Sequence, residues 1–170
     1  MPPSQRLADL EKALELRYET LGKVKKRLAM TDEFFAKNAI ELRIREEVLP
    51  ELRQCKAEYW ELLAEEVRTC EVEVAEVDAS YALVEVVPKI ERIVNQSSTK
   101  YPDELMQKLQ EILYKLNEPK TPVAAKLKAA LPLVPFIMNY ELELDTEILL
   151  RRVFERMRQL FKKAIDEKKK

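Results

Sequence analysis

The side chains that could do chemistry in this chain are carboxylates and two thiols, because the sequence contains no histidine. Histidine is the commonest general base near neutral pH and the commonest metal ligand. Glu58, Glu61 and Glu65 have the spacing that places side chains on one face of a helix. Helical di-metal sites combine such glutamates with a Glu-x-x-His pattern, which this sequence cannot supply. We therefore interpret these glutamates as a solvated helix face.

The two thiols do not indicate a metal site or a disulfide. Cys55 and Cys70 alone cannot complete a four-ligand zinc site. On one straight helix their Cα atoms would lie about 22 Å apart, whereas a disulfide needs a separation below about 7 Å. The single glycine, Gly22, also argues against glycine-rich phosphate-binding loops. The sequence predicts a protein that is not an enzyme and uses no metal or cofactor.

Several features indicate a cytoplasmic location. Unpaired cysteines are typical of a reducing compartment, and residues 1–6 lack the apolar core of a signal peptide. The most apolar stretch, 123–140, is a poor membrane span because two lysines and two prolines interrupt it.

Composition favours an all-α fold. Of the 170 residues, 46% are hydrophobic and 36% charged, a mixture that helices accommodate by burying one face and solvating the other. Strand-rich folds usually need more glycine for their turns. We predict an antiparallel helical hairpin with coiled-coil character over residues 1–71, followed by a compact helical bundle over residues 72–170.

Leucine-rich stripes define the predicted hairpin. The first helix, over residues 4–30, has apolar positions at heptad spacing with Arg17 as the polar interruption: Leu7, Leu10, Leu14, Leu21, Val24 and Leu28. Thr31 and Asp32 are expected to cap a second helix, in which Pro50 should cause a kink or a new start. The stripe of that helix comprises Phe35, Leu42, Leu49, Leu52, Tyr59, Leu63 and Cys70.

The apolar residues beside this stripe are the expected partner surface. They are Ile40, Ile44, Val48 and Trp60. Tryptophan is enriched at binding hot spots, and a two-helix hairpin buries too little surface to be stable by itself. We therefore expect the hairpin to associate with itself or to capture a partner helix.

Two segments of the C-terminal domain have more than one interpretation. Helices are predicted over residues 78–95, 102–116 and 123–131, and a last helix is expected to be capped by Asp145 or Thr146. Residues 71–77 and 140–145 alternate between apolar and charged side chains. They could pair as a minor two-stranded ribbon, or they could be helix ends.

The apolar segment 123–140 allows two functions. It could pack under the last helix and complete the C-terminal core, or it could be released to insert into a membrane or a partner groove. In the second case the last helix would face anionic headgroups with its basic residues, which are Arg151, Arg152, Arg156, Arg158, Lys162 and Lys163. Nucleic acid is the least expected partner, because the net charge is −1.

Residues 121–161 resemble a known group of proteins. The runs TPVAAKLKAALPLVP, YELELDTE and LLRRVF are similar to helical modules of multidomain cyanobacterial signalling proteins. Those modules accompany nucleotide-binding STAND domains, caspase-like domains or repeat sensors, and the N-terminal hairpin looks like their effector-associated helical regions. The resemblance implies an adaptor or effector-coupling role through protein contacts, and it carries no catalytic motif.

Taken together, these patterns favour a non-enzymatic protein–protein interaction or adaptor module, related to signalling, that acts through helix–helix contacts. The alternative is a membrane-active effector that uses residues 123–140 and the basic last helix.

Overall fold

The structure is a computed structural model that describes residues 3–95, 101–140 and 144–168. Within these ranges all regular secondary structure is helical, which confirms the predicted all-α fold class. The helices are α1 (Pro3–Ala29), α2 (Phe34–Arg43), α3 (Leu49–Thr69), α4 (Glu76–Asn95), α5 (Asp103–Leu116), α6 (Val123–Ala130), α7 (Val134–Met138) and α8 (Leu144–Lys168). A π-helical turn, Ile44–Val48, joins α2 to α3, and a 3-10 turn, Leu131–Leu133, joins α6 to α7.

The chain forms two compact units, Met1–Tyr59 and Trp60–Lys170. The division falls inside α3, which contributes residues to both units, whereas the predicted boundary at 71/72 lies just beyond the end of α3. We call them the hairpin unit and the C-terminal unit.

The hairpin unit is an antiparallel pairing of α1 with the chain that follows it. Two ion pairs show the direction: Arg17 Nη1 lies 2.8 Å from Glu51 Oε2, and Arg6 pairs with Glu58. The separation in sequence grows away from the turn, as an antiparallel hairpin requires. Within the predicted stripe of α1, the fully buried positions are Leu7, Leu14 and Leu21. Leu10, Val24 and Leu28 are only half-buried.

α3 begins at Leu49, so Pro50 lies in its first turn, directly after the π turn. Leu49 donates its N–H to the Ile44 carbonyl, five residues back, and Pro50 has no N–H to continue the ordinary ladder. A π turn holds an extra residue, so positions before and after it differ in phase by about 100° from a regular helix. The heptad stripe is therefore broken. Phe35 and Leu42 are 77% and 44% exposed, and the prediction that they belong to the buried stripe is wrong.

The cap of α2 also differs from the prediction. Glu33, rather than Thr31 or Asp32, is the N-cap, and its carboxylate accepts hydrogen bonds from the N–H groups of Phe35 and Ala36 at 3.0 and 2.7 Å. The Thr31 hydroxyl instead donates to the Arg27 carbonyl at the end of α1. A carboxylate suits this position because it also interacts favourably with the positive end of the helix dipole.

The C-terminal unit is built around α4, which packs against α5, α6 and α8. Its helices lie close to the predicted ones, and α4 continues through Pro88 on its exposed side. The central side chains are almost completely buried, among them Val86, Ile90, Leu109, Ile112, Phe154 and Phe161. Such closely enclosed apolar groups supply most of the favourable free energy of folding.

The apolar segment 123–140 belongs to this core. α6 packs against α4 and α5, and α7 packs against α5. The buried side chains of the segment are Leu127, Ala130, Leu131, Val134, Pro135, Ile137 and Met138. Phe136 is exposed, with the Lys108 ammonium 5.2 Å from its ring centroid. The segment is thus part of the C-terminal core, as the first interpretation expected, and the helices that it packs against are α4 and α5.

The described parts of the two alternating segments are not strands. Residues 72–75 have no regular structure, α4 begins at Glu76, and α8 already includes Leu144 and Asp145. Residues 141–143 lie outside the described residues. α8 also includes Thr146, so both residues predicted to cap the last helix lie within its first turn.

Backbone N–H groups make specific hydrogen bonds at one end of each of two helices, α6 and α3. The Glu76 carboxylate accepts hydrogen bonds from the N–H groups of Val123 and Ala124, both at 3.0 Å, and so caps α6 from the first turn of α4. At the end of α3 the Val72 N–H bonds to the Val67 carbonyl across Glu71, whose φ is 47°. This is a Schellman-type helix end, in which glycine is the usual residue at the left-handed position.

Candidate functional site

The four residues predicted to meet a partner do not form an exposed face. Ile44 and Val48 are buried in the π turn, and Ile40 is half-buried. Trp60 is buried, and its ring centroid lies 6.2 Å from that of Phe154 in a T-shaped arrangement. Because a buried side chain offers no area to a partner, a candidate interaction surface must lie elsewhere in the chain.

The largest exposed apolar side chains of the hairpin unit surround the turn between α1 and α2. Met30, Phe34 and Phe35 are 75%, 68% and 77% exposed, and we call them the hairpin tip. The rings of Phe34 and Phe35 lie 5.5 Å apart, centroid to centroid, at an interplanar angle of 77°. This edge-to-face geometry is a favourable one for aromatic pairs, and it presents both rings together.

The hairpin tip was missed by the sequence analysis, although one signal was available. Adjacent residues on a helix point about 100° apart, so Phe34 and Phe35 cannot both enter one narrow stripe. The pattern of the stripe accounted for Phe35 and left Phe34 without a role.

Basic residues predominate in the sequence on both sides of the hairpin tip. Between positions 23 and 37 the sequence has five basic and two acidic residues, Asp32 and Glu33. The Glu33 carboxylate is already engaged by the N–H groups of α2. The basic residues near the tip include Lys26, Arg27 and Lys37, all exposed. The hairpin tip thus combines exposed apolar side chains with exposed cationic residues close to them in sequence.

A second exposed apolar surface lies on α4 in the C-terminal unit. Val77, Tyr81, Val84 and Pro88 are all exposed and follow 4-3-4 spacing, and we call them the α4 stripe. That spacing aligns them along one side of the helix. The α4 stripe lies along a helix of 20 residues, whereas the hairpin tip lies at a turn.

The six basic residues singled out on the last helix have different surroundings. Three of them pair with acidic residues of the same helix. Arg158 Nε lies 3.2 Å from both carboxylate oxygens of Glu155. Lys162 lies 3.3 Å from Asp166, and Lys163 lies 4.0 Å from Glu167.

The other three, Arg151, Arg152 and Arg156, line a cleft between α4 and α8. The cleft has a volume of about 560 Å³, and we call it the α4–α8 cleft. Its other lining residues are Glu85 and Lys89 from α4 and Glu155 and Gln159 from α8. Partial burial alone would raise the pKa of the Glu155 carboxyl. Hydrogen bonds from Arg158 and the charges of Arg158 and Arg151 outweigh this effect and hold that pKa below its ordinary value.

The groups first considered for chemistry have different surroundings. Glu58 pairs with Arg6, while Glu61 and Glu65 are exposed. Both thiols are free, and burial raises the pKa of Cys55 despite the nearby Arg17 guanidinium. Across the described residues, no three His, Cys, Asp or Glu side chains are grouped so that they could hold a metal ion.

Comparisons with protein-family models, with curated proteins and with solved structures find no match for this chain. No helix in the described part of the chain has both the length and the apolar character needed to cross a membrane.

Proposed function

We propose that this chain is a non-enzymatic interaction module that binds a partner protein through its hairpin tip. The observation that carries the proposal is the exposure of Met30, Phe34 and Phe35 at the turn between α1 and α2, where the rings of Phe34 and Phe35 lie edge to face. Exposed apolar side chains scattered singly are ordinary, whereas a cluster of large ones is typical of a binding surface.

The energetics favour burial of the tip by a partner. Burying one phenylalanine or methionine side chain contributes about 1.5–3 kcal/mol. Aromatic rings at the centre of an interface are also common hot spots. The two rings lie edge to face with their centroids 5.5 Å apart, so one groove of a partner could receive both.

The charges around the tip indicate the chemistry of the partner. Lys26, Arg27 and Lys37 would lie at the rim of the interface. A tip-to-tip contact between two copies would bring these like charges together, which is unfavourable. We therefore commit to a different protein, one with an apolar groove that receives Phe34 and Phe35 and carboxylates around that groove.

A signalling context for this module rests on the resemblance of residues 121–161 to cyanobacterial signalling modules. The alternative of a membrane-active effector receives less support. Its apolar segment is largely buried against α4 and α5, so insertion would require the C-terminal core to open.

Site-specific photocrosslinking tests the proposal. A photoreactive phenylalanine analogue replaces Phe35 in one variant and Tyr114, which is 76% exposed on α5, in a matched control. In cells that express the chain, we expect the variant at position 35 to crosslink one protein in high yield and the control variant not to do so. The crosslinked protein is then purified and titrated against the unmodified chain, and saturable binding is expected.

Two outcomes would overturn the proposal. One is a crosslink at position 114 with none at position 35, which would move the interface away from the hairpin. The other is a purified crosslinked protein that shows no saturable binding. Light scattering on the isolated chain should show a monomer. A dimer that dissociates on Phe34→Ser/Phe35→Ser substitution would indicate that the tip binds a second copy, contrary to the proposal.

A further inference from the structure

The α4–α8 cleft gathers cationic side chains from two helices. Arg152 and Arg156 are one turn apart on α8, and Lys89 faces the same cleft from α4. Arg151 lies beside them. The cleft belongs entirely to the C-terminal unit, so its function is independent of the hairpin tip.

The stability of α8 does not explain why Arg152 and Arg156 occupy positions one turn apart. Like charges four residues apart on a helix repel each other, and Arg152 and Arg156 are such a pair. Ion pairs within α8 occur at neighbouring positions, for example Arg158 with Glu155, Lys162 with Asp166 and Lys163 with Glu167. Both arginines that repel each other are exposed. An anion bound between them would relieve the repulsion.

Guanidinium groups suit one class of anion in particular. Arginine presents a planar set of donors that matches the oxygens of a phosphate or carboxylate group. Two arginines and a lysine supply enough donors for the three terminal oxygens of a phosphate monoester, which carries close to two negative charges at neutral pH. The engagement of Glu155 by Arg158 reduces the repulsion between that carboxylate and a bound anion.

The remaining lining residues limit what else the ligand can be. Glu85 and Gln159 supply hydrogen-bond acceptors in the same cleft, which suits hydroxyl groups on the ligand. A long polyanion such as a nucleic-acid backbone would also extend past the Glu85 carboxylate, which repels it. The cleft is open to solvent, and its volume of about 560 Å³ leaves room for a phosphate group and part of the molecule that carries it.

From this geometry we infer that the α4–α8 cleft binds the phosphate monoester group of a small hydroxylated molecule or of a lipid headgroup, through Arg152, Arg156 and Lys89. This inference goes beyond the interaction proposed for the hairpin tip and does not depend on it.

Titration calorimetry on the full chain tests the inference with ribose 5-phosphate as the probe and ribose as the control that lacks the phosphate. In a parallel experiment, phosphatidylcholine vesicles that contain phosphatidic acid present the same monoester on a membrane. We expect saturable binding of at least one phosphate-bearing probe at low ionic strength and none of ribose. Binding to ribose 5-phosphate alone identifies a soluble ester, and binding to the vesicles alone identifies a headgroup.

Two double variants with equal loss of charge separate the cleft from the general basicity of α8. Arg152→Gln/Arg156→Gln should weaken binding by about tenfold or more, because charge-assisted hydrogen bonds are lost. Lys162→Gln/Lys163→Gln should change binding by less than about twofold, because those lysines pair with Asp166 and Glu167. Removing the Arg152–Arg156 repulsion should also leave the unfolding midpoint unchanged or higher, so the loss of binding is not a loss of fold.

Two results would overturn the inference. The first is the absence of binding by both phosphate-bearing probes up to about 10 mM, which corresponds to a negligible affinity. The second is an equal loss of binding in the two double variants, which would show that diffuse positive charge suffices. If Arg152→Gln/Arg156→Gln fails to fold, Arg152→Lys/Arg156→Lys serves instead. That variant keeps the charge but loses the planar donors, and we expect it to bind several-fold more weakly.

Discussion

The hairpin unit and the C-terminal unit bury their apolar residues to different extents. In α1 only one leucine per heptad is fully buried, and the apolar positions between them stay half-exposed. In the C-terminal unit α4 contacts three other helices, and its central side chains are almost inaccessible. A two-helix layer can cover one narrow stripe, whereas a bundle encloses its helices from several sides. Apolar surface left for a partner is therefore expected first on the hairpin.

The contrast predicts that the largest loss of stability comes from truncating Phe154 in the C-terminal core. Phe154 is fully buried and packs edge to face on Trp60. Phe154→Ala should lower the free energy of unfolding by about 3–5 kcal/mol, because it removes buried area and leaves a cavity. Urea unfolding followed by circular dichroism measures this difference. Phe136→Ala is the matched control, since Phe136 is 59% exposed, and it should cost less than about 1 kcal/mol. Equal losses in the two variants would contradict the described core.

A smaller loss is expected from the equivalent change in the hairpin. Leu14 is buried in the stripe of α1, and Leu16 is exposed on the same helix. Leu14→Ala should destabilise by about 2–3 kcal/mol, near the lower end for buried leucines, because a thin layer relaxes more easily around a cavity. Leu16→Ala should change stability by less than about 0.5 kcal/mol. A cost for Leu14→Ala as high as that for Phe154→Ala would mean that the hairpin is as tightly enclosed as the bundle.

The same contrast explains which features could be predicted from the sequence. The fold class and most helix positions follow from apolar periodicity and from proline, because both act locally. Which side chains are exposed does not follow. A heptad pattern through Phe35, Leu42 and Leu49 shows that a continuous helix could align these residues. The π turn at Ile44–Val48 changes their phase, and nothing in the periodicity of the pattern marks an extra residue in a turn.

The α4–α8 cleft and the cap of α6 could not be predicted from the sequence, for a related reason. Arg152 and Lys89 are distant in sequence, and Glu76 lies in a segment whose alternation resembled a strand. Both features depend on which helices become neighbours. Patterns in a single sequence show which face of a helix is apolar or charged but not which helices become neighbours. The basic residues of α8 could therefore be named before the structure, but those that line the cleft could not be recognised.

The two units cap their helices differently. Glu76 of α4 caps a different helix, α6, whereas Glu33 in the hairpin caps α2, the helix that directly follows it. Glu76→Ala should destabilise by about 1–2 kcal/mol, because two helix N–H groups lose a charged acceptor. Glu73→Ala removes an exposed carboxylate nearby and should have little effect. Chemical denaturation of both variants checks the difference. Equal stability of the two would show that water replaces the Glu76 carboxylate at the start of α6.

The smallest expected change in stability is a gain rather than a loss. Glu71 adopts a left-handed conformation after α3 that glycine adopts without strain. Glu71→Gly should therefore stabilise by up to about 1 kcal/mol. The same substitution at Glu61, inside α3, should destabilise by about 1 kcal/mol because glycine is a poor helix former. Thermal unfolding of the two variants reports the sign directly, and a loss of stability in Glu71→Gly would contradict the left-handed assignment.

The dissociation constant of the crosslinked partner for Phe34→Ser/Phe35→Ser tests most directly whether the hairpin tip is the functional surface. These side chains are exposed, so the urea-unfolding free energy should change by less than about 0.5 kcal/mol. In the complex both rings would be buried by the partner, so their loss should weaken partner binding by about 100-fold or more. Tyr81→Ser/Val84→Ser, on the α4 stripe, should leave the constant within about twofold. An unchanged constant in the tip variant, or a larger loss in the α4 stripe variant, would contradict the proposed function.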